Sequence, residues 1–514
     1  MRIPHVWGPR PLAAKVLIAL LPILWLAGLH VADGARVIAG LAALGIALAL
    51  YRRRPLQPLS FARLDPWWCL SFLGLYLVLD GTVLLLRALY GEHGIDHLIF
   101  SQVAHSVSTG QGFAFSLGPS GWRSFLADHF SPVLAAAGAL TLGGFDATTA
   151  VTILHLICLT ATFGVIYGLA RTLDIGPSLA LFATCLFALN PAVRAQMFWG
   201  AQIEFWALPF LGVAYVCWLT EHHKAAALAL VAACLCKESL LPVATAFATM
   251  VWLDASLRRK ARCRKLWPYV VAGGLGVLGF GLYTFGHRLF FPASYDYMNR
   301  ISTALPSLGT VGAKLYYCAT LFLPFLFAPL WRRRGWLYLL PAAPAIGFSM
   351  LSTFPDMYAP YNHYAVLPTF IILVATLLAF AHRDHKEPPI ARIPALGALL
   401  LVALALSFYD AKPTSLIKQA FLGPVLDGGA LARIPAGARI AATEAATPFL
   451  MASYVPLRLY WVDQLGLAFD YAVVLTREEA EIGEHVRARA RRCLEQPPWV
   501  IYCRTGKQLL KQQE

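Results

Sequence analysis

The stretch TTAVTILHLICLTATFGVIYGLA, residues 148–170, contains no Asp, Glu, Lys or Arg in 23 consecutive positions. About 20 predominantly apolar residues are enough for an α-helix to cross the hydrocarbon core of a bilayer. We therefore predict a membrane-spanning helix here, and the search for similar segments on both sides of it decides the fold class.

Similar apolar segments recur on both sides of this stretch. Spans of full or nearly full length are predicted at 13–31, 35–51, 67–88, 148–170, 203–220, 268–290, 311–331, 336–353, 364–381 and 391–409, with shorter spans at 177–190, 224–236 and 240–253. The predicted fold is an all-α polytopic membrane protein of about 13 transmembrane helices with a small C-terminal α/β domain. The first apolar run begins after Met1-Arg2 and has no small-residue cleavage site, so we expect it to be retained as a helix.

The composition agrees with a membrane protein. The 514 residues are 58% hydrophobic and 13% charged, with a mean hydropathy of +0.61, whereas soluble domains carry about 25% charged residues. This excludes a soluble enzyme. Lys and Arg outnumber Asp and Glu by 42 to 27, but they form short clusters between apolar runs, such as Arg52-Arg53-Arg54 and Arg332-Arg333-Arg334. Such clusters are typical of membrane loops, so no nucleic-acid partner is expected.

The basic residues also predict an orientation. With the N-terminus in the cytoplasm, the inner loops hold twenty Lys and Arg residues and the outer loops hold eight. Cytoplasmic loops are enriched in Lys and Arg, so this orientation is favoured, and it places residues from about 410 onward outside. The predicted organisation is two extra N-terminal helices in 1–66, a transmembrane domain in 67–409 with an outer loop at 89–147, and an extracytoplasmic α/β domain in 410–514.

Two outer regions have features of their own. In the loop at 89–147, Ser131-Pro132 precedes a short apolar run, 133–142, which predicts an interfacial helix with Ser131 as its N-cap. In the tail, β-rich runs are predicted at 439–442, 457–462, 471–475 and 499–503. Thr476 and Glu479 predict a capping box that opens a helix with a basic end at Arg487, Arg489, Arg491 and Arg492.

Cys493 and Cys503 are the cysteines of this polar tail. In an oxidising compartment they could form a disulfide, and the alternative is a pair of free thiols.

Candidate catalytic residues gather on the predicted outer side. Asp96 could act as a general base or bind a divalent cation, and the alternative is a solvated loop residue. His129 precedes the interfacial helix, whose N-terminus favours an anion such as phosphate; the alternative is a helix-entry histidine without a ligand. Glu204, Lys237 and Glu238 are ionisable groups at membrane depth. Burying such a group costs free energy unless it faces a cavity or another ionisable group, so these residues are functional candidates. The alternatives are an interfacial Glu204 and a local Lys237–Glu238 ion pair at a helix break.

A further outer loop, residues 356–364, is rich in tyrosine. Tyrosines at this depth usually form an interfacial aromatic belt. His363, just before a span, is the residue of this loop that we expect to contribute to a site.

These residues resemble motifs of the GT-C superfamily of polytopic membrane glycosyltransferases. The motifs are Asp96, His129-Phe130-Ser131-Pro132, Tyr167-Gly168-Leu169-Ala170-Arg171 and Leu235-Cys236-Lys237-Glu238. Within that superfamily the chain is most similar to a bacterial family of predicted membrane proteins of unknown function, over roughly residues 67–409. Where a His-Pro-Glu-like sequence is expected in close relatives, this chain has Gln202-Ile203-Glu204, which keeps the carboxylate and lacks the imidazole.

The resemblance implies a glycosyltransferase of the bacterial inner membrane. It would move a sugar from a polyprenyl-phosphate donor to a lipid, glycan or protein acceptor on the outer face, in contact with membrane lipids. Asp96 would be the base, and His129, Glu204, Lys237 and Glu238 would bind phosphate or a metal. A divalent cation, Mg²⁺ or Mn²⁺, could bind at Asp96, His129 and Glu204. Substrate-binding residues would be His97, Arg123, Gln202, Tyr361 and His363.

Two other functions remain open at this point. Intramembrane charges also mark the substrate pathways of transporters, so a lipid or polysaccharide transporter or flippase is one alternative. The other is a non-catalytic envelope-assembly protein that keeps a GT-C-like fold, which Gln202 in place of histidine would suit.

Overall fold

The computed structural model describes most of residues 70–84, 94–117, 123–193, 200–257, 266–286, 307–381 and 428–509. The predicted spans at 13–31, 35–51 and 391–409, the proposed N-terminal unit 1–66 and Tyr361 lie outside the described residues.

Helices of nine or more residues make up most of the described part of the transmembrane domain. In chain order they are α1 (Leu73–Thr82), α2 (Ile95–Ser108), α3 (Leu134–Leu142), α4 (Ala147–Thr172), α5 (Pro177–Leu189), α6 (Ile203–Leu219), α7 (His223–Cys234), α8 (Leu240–Leu257), α9 (Trp267–Gly281), α10 (Leu308–Phe322), α11 (Ala343–Leu351) and α12 (Val366–Ala381). Within the described residues, three segments are long and apolar enough to cross a membrane: Ala147–Thr172, Leu240–Leu257 and Pro355–Ala379.

Most predicted spans that fall on described residues correspond to one helix, and 148–170 becomes α4 with two or fewer residues of difference at each end. The predicted span at 311–331 falls on two helices, α10 and the short helix Ala328–Trp331. The predicted span at 336–353 is broken, because a 3-10 turn at Leu340–Ala342 separates the short helix Gly335–Tyr338 from α11. Pro341 and Pro344 lie at this break, and proline removes a backbone donor from a helix.

Close packing joins α4, α6 and α12 in the centre of the molecule. A Cβ atom added to Gly212 of α6 would lie 2.2 Å from Val165 of α4, so glycine is needed for the two helices to approach. Phe187 makes edge-to-face contacts with Phe163 of α4 and Phe370 of α12. This core fixes the start of α6, where several candidate residues lie.

The region 89–147, expected to be a loop with one interfacial helix, is more ordered than predicted. It contains α2, a 14-residue helix, and a small hairpin of β1 (Ala114–Phe115) and β2 (Arg123–Ser124). The helix predicted at 133–142 exists as α3, but its N-cap is Val133 and not Ser131. Asp96 therefore lies in the first turn of a helix and not on a loop, which corrects the sequence-based expectation.

The tail forms an α/β domain, as predicted. Its sheet has the strand order β4-β3-β5-β7-β6, and the strands are β3 (Arg439–Ala442), β4 (Val455–Arg458), β5 (Tyr471–Leu475), β6 (Ala490–Gln496) and β7 (Trp499–Arg504). β3 is parallel to β4 and β5, and β7 is antiparallel to β5 and β6. The strand residues of β5 are all buried, so apolar cores cover both faces of the sheet.

Three expectations for the tail need correction. The run 457–462 is strand only to Arg458, after which the helix α13 (Leu459–Leu465) begins. The capping box is wrong, because Thr476–Glu481 is a 3-10 helix with Leu475 as N-cap, and the Glu479 carboxylate bonds Arg492. The following helix, α14 (Glu484–Arg489), carries Arg487 and Arg489 in its last turn, as predicted, but Arg491 and Arg492 lie in β6 and not in the helix.

The predicted disulfide between Cys493 and Cys503 is confirmed. The two Cα atoms are 5.7 Å apart, a usual separation for this bond. Cys503 pairs with Arg491 across the ladder, and the register shifts between Arg492 and Leu494. This bulge at Cys493 lets both Cys493 and its neighbour Leu494 pack against the same apolar core as Cys503.

A buried polar chain connects the tail to α2. The Gln102 side chain of α2 donates to the Ser116 hydroxyl at 2.7 Å and accepts from the Ser116 amide at 2.9 Å. The Ser116 hydroxyl in turn donates to the Pro456 carbonyl of β4. Gln102 and Ser116 are both buried, so this connection is shielded from water.

Candidate functional site

Asp96 lies at the N-terminal end of α2. Carboxylates are favoured in the first turn of a helix because the backbone N–H groups there carry partial positive charge. The Gln202 side chain donates to Asp96 Oδ2 at 3.3 Å. Within the described part of the chain Oδ1 makes no hydrogen bond. The side chain is half-buried, so one carboxylate oxygen is held while the other is available.

His97, the next residue, points into the protein. It is fully buried, and its Nδ1 accepts a hydrogen bond from the Ala201 amide at 3.0 Å. Gly200 has a positive φ of 82°, and a Cβ atom there would lie 2.9 Å from the His97 Cβ atom. Only glycine fits this turn, and its backbone therefore packs directly against His97, the residue next to Asp96. The substrate-binding role expected of His97 from the sequence stays a prediction.

Glu204, Lys237 and His363 form a buried triad. The Lys237 ammonium donates to Glu204 Oε1, and His363 Nε2 lies 3.5 Å from the same oxygen. All three side chains are at most 10% exposed. Lys237 also lies over the Tyr364 ring, 5.5 Å from its centroid. The other Glu204 oxygen, Oε2, is buried and bonds to none of the described residues.

Glu238 holds the loop before α3. Its Oε1 lies 2.8 Å from His129 Nδ1, and its Oε2 accepts from the Phe130 amide at 3.0 Å. The Val133 amide donates to the Leu235 carbonyl at 3.1 Å. The turn between α7 and α8 is thus bonded at three points to the loop that carries His129, and the Phe130 amide is occupied by a carboxylate of the chain itself.

The charge of Glu238 is set by its neighbours. This residue lies in the turn between α7 and α8, outside both helices. Burial would raise its pKa, but the His129 ring and then the Lys237 ammonium outweigh burial and hold the pKa of the Glu238 carboxyl below its ordinary value. Glu238 is therefore ionised at neutral pH.

Arg123 lies next to the loop that carries His129. Its guanidinium pairs with Asp128 at 2.5 Å and lies over the Phe115 ring. The Tyr283 hydroxyl donates to the Asp128 carbonyl at 2.7 Å. Arg123 and Tyr283 thus brace the chain just before His129.

The predicted residues converge. Charge interactions link His363 with Glu204, Lys237, Asp96 and His129, so residues from four separate chain regions share one site. Arg123 reaches the site through Asp128, and Tyr361 lies outside the described residues. Three contributors were missed from the sequence: Gly200, Tyr283 and Tyr364. Tyr283 gave no signal because it lies within the predicted span 268–290, and Gly200 and Tyr364 have no local sequence feature that marks them as site residues.

The site residues can also be examined as ligands for a divalent cation. Among the described residues, no three His, Cys, Asp or Glu side chains are arranged to hold a metal ion. Glu238 uses both oxygens on His129 and Phe130, and Lys237 takes Glu204 Oε1. The divalent cation expected at Asp96, His129 and Glu204 therefore stays a prediction, and it would need further ligands to complete its coordination.

A family model described as "Predicted membrane protein (DUF2079)" matches residues 93–477. The chain belongs to this family. The matched range includes Asp96, the triad and the loop that carries His129, and it continues into the tail domain as far as the end of β5. The protein is accordingly a membrane protein. No curated protein sequence matches this DUF2079 member.

Solved structures show the fold of this DUF2079 protein. ArnT from Cupriavidus metallidurans bound to undecaprenyl phosphate has a TM-score of 0.52 at 13% identity, over 86% of this chain and 98% of that one. Its apo state has a TM-score of 0.50 at 13% identity, over 85% and 97%. AftD from Mycobacteria has a TM-score of 0.45 at 16% identity, over 86% and 40%. The ArnT pair shows a GT-C membrane fold, and at this identity the likeness extends to the fold alone.

Proposed function

We propose that the protein transfers a sugar from a polyprenyl-phosphate donor to an acceptor hydroxyl. The observation that carries the proposal is Asp96, which has one carboxylate oxygen held by Gln202 and the other unbonded among the described residues. Its electrostatic neighbour His363 lies on Glu204 together with the buried Lys237. The shared fold with ArnT, one structure of which contains undecaprenyl phosphate, supports a lipid-linked phosphate as the donor.

In this reaction Asp96 acts as the general base. Its Oδ1 accepts the proton of the acceptor hydroxyl as the acceptor oxygen forms a bond to the anomeric carbon of the sugar. The bond between that carbon and the phosphate oxygen breaks, and its electron pair leaves with the polyprenyl phosphate. Gln202 fixes the carboxylate so that the same oxygen faces the acceptor.

The Lys237 ammonium and ring N–H donors of two histidines stabilise the leaving phosphate. Lys237 and His363 lie together on Glu204, which holds the ammonium in one position. His129 approaches from the loop before α3, where Glu238 holds its ring. Donors fixed before the reaction stabilise developing charge without reorganising, and removing one commonly costs about 10²–10³ in rate. The acceptor class, whether lipid, glycan or protein, is left to the assay.

The divalent cation of the sequence analysis stays a prediction, and no step of the proposed reaction passes through one. Chelation tests it directly. Loss of transfer in EDTA, restored by Mg²⁺ or Mn²⁺ and not by Ca²⁺, would establish the requirement, and unchanged transfer would remove it.

The proposed activity is tested with purified protein in lipid nanodiscs and a panel of radiolabelled polyprenyl-phosphate sugars. We expect transfer or hydrolysis of one donor, and a loss of about 10²–10⁴ in rate for Asp96→Asn with an unchanged melting temperature. The matched control is Asp174→Asn, because Asp174 is exposed and has a φ of 58° that asparagine also adopts.

Two results would overturn the proposal. Equal transfer by Asp96→Asn and wild type would remove Asp96 as the base. Movement of an intact donor across the bilayer, with no cleavage of its sugar–phosphate bond, would establish the flippase alternative.

A further inference from the structure

A groove of about 250 Å³ lies between α8 and α9. It does not touch the triad or Asp96, which the proposed function uses. Its lining includes Thr245, Thr249 and Trp252 of α8 and Tyr269, Gly274 and Val277 of α9. The groove opens on the side of the molecule where Val270, Val277 and Trp252 are more than half exposed.

Small residues explain why a groove forms at this place. α8 and α9 meet closely along Gly276, where a Cβ atom would lie 2.6 Å from the Leu241 carbonyl and from the Thr245 hydroxyl. Gly274 faces elsewhere, and a Cβ atom there would meet nothing within 4 Å. The helices therefore touch along one line, and next to that line the missing side chain of Gly274 leaves space.

The wall of the groove is apolar even though it contains two threonines. The Thr245 hydroxyl donates to the Leu241 and Gly273 carbonyls, and the Thr249 hydroxyl donates to the Thr245 carbonyl at 2.9 Å. Both hydroxyls are thus bonded to backbone, and their methyl groups remain for the groove. An apolar wall open to the side of a membrane protein suits a hydrocarbon chain.

One end of the groove lies beside the first turn of α7, which carries a lysine. Tyr269 in the lining is hydrogen-bonded to His223 Nδ1 at 3.1 Å, and the next residue, Lys224, is exposed in the first turn of α7. α7 runs from here to the turn with Lys237, so this end of the groove lies at the opposite end of α7 from the site, about 18 Å away at 1.5 Å per residue. By the distribution of Lys and Arg in the sequence, this is the end expected to face the cytoplasm.

We propose that the groove binds one anionic phospholipid of the membrane. An acyl chain lies along Thr245, Thr249 and Gly274, and the headgroup phosphate lies beside Lys224 and His223, with Trp252 and Tyr269 at the level of the interface. Aromatic side chains are enriched at that level, and basic pockets between helices bind anionic headgroups. This lipid is neither donor nor acceptor, so the proposal stands independently of the proposed function.

Two glycine substitutions in α9 give a matched test. Gly274→Leu fills the groove, whereas Gly281→Leu adds the same side chain to the same helix at a position outside the lining where a Cβ atom also meets nothing within 4 Å. The probes are phosphatidylglycerol and phosphatidylcholine with identical acyl chains, added to delipidated protein and followed by native mass spectrometry. We expect one retained phosphatidylglycerol on wild type and Gly281→Leu, and none on Gly274→Leu.

The headgroup is tested with Lys224→Gln. One cation near a membrane surface contributes about 1 kcal/mol toward an anionic lipid, which is about a five-fold loss of phosphatidylglycerol preference in this variant. Arg171→Gln, which removes an exposed charge from the C-terminal end of α4, should leave the preference unchanged. Equal retention of the two lipids by wild type, or equal lipid loss in Gly274→Leu and Gly281→Leu, overturns the proposal.

Discussion

Ion pairs occur in both halves of this protein, in opposite surroundings. In the transmembrane domain, Lys237 and Glu204 have side chains that are 7% and 5% exposed. In the tail, Arg492 and Glu479 pair with side chains that are 42% and 29% exposed. The Tyr502 hydroxyl and then the Arg492 guanidinium keep the pKa of Glu479 below its ordinary value, so the tail pair is also fully charged at neutral pH.

The difference in burial decides what each pair does. Water screens an exposed pair, so its loss changes stability little. A buried pair gains little over apolar residues of the same size, but removing one partner leaves a charge without compensation. Removing either Lys237 or Glu204 alone should therefore destabilise the transmembrane domain, whereas removing Arg492 or Glu479 alone should change the stability of the tail little. The following predictions test this contrast.

The largest expected effect is a difference in sidedness between the two regions. From the distribution of Lys and Arg in the sequence, residue 260 is expected in the cytoplasm and residue 480 outside. Alkaline phosphatase and green fluorescent protein fused at the two positions should give opposite signals. Matching signals would mean that the number of spans between the two positions is wrong by an odd number.

Lys237→Met should cost about 3–5 kcal/mol of stability, because the Glu204 carboxylate stays buried without its ammonium. The thermal melting of protein in detergent measures this loss. The second variant, Lys237→Met with Glu204→Leu, should recover most of it, since both charges are then absent. A double variant no more stable than the single one would show that the pair itself, and not the uncompensated charge, supports the fold.

Loss of the disulfide should have an intermediate effect that stays within the tail. For Cys493→Ser with Cys503→Ser, the chain segment of sequence separation 10 that the bond closes predicts a loss of about 2–3 kcal/mol from loop entropy. Urea-dependent proteolysis of the tail reports it, with Cys217→Ser in α6 as control. Quantitative alkylation of both cysteines in unreduced wild-type protein would instead show that the bond is absent in the cell.

Arg492→Met should have the smallest effect. Water takes the place of the guanidinium at Glu479, so the melting temperature should agree with that of wild type within the reproducibility of the measurement. Replacing the cation by Met would thus lower stability strongly in the buried triad and leave it unchanged on the exposed tail strand. A loss comparable with that of Lys237→Met would mean that the tail pair is not screened.

Apolar length predicted the spanning helices well, because a membrane segment carries its own signal. The sequence 148–170 needs no partner to be recognised as α4. The helix α2 was missed because its buried face includes His97, Ser101, Gln102 and Ser106. Such a face has no apolar period, and its partners come from the hairpin and from the turn at Gly200, which are far away in sequence.

In the tail, the edge strand β6 was missed for a related reason. Its arginines are exposed, and charged residues protect an edge strand from pairing with other chains, yet the same residues resemble the basic end of a helix. The site was predicted as a set of residues but not as a set of bonds. Nothing local in the sequence indicates that Glu238 holds His129 while Lys237 turns to Glu204.

The bond between Ser116 and the Pro456 carbonyl has a consequence for the order of biosynthesis. Its two ends are 340 residues apart, and ribosomes add about 5–20 residues per second, so the second partner is made roughly 17–70 s after the first. During that time α2, which carries Asp96, is already made but lacks its bond to the tail. A nascent or prematurely terminated chain therefore carries the proposed base without the completed architecture around it, and the tail acts as the last component of assembly.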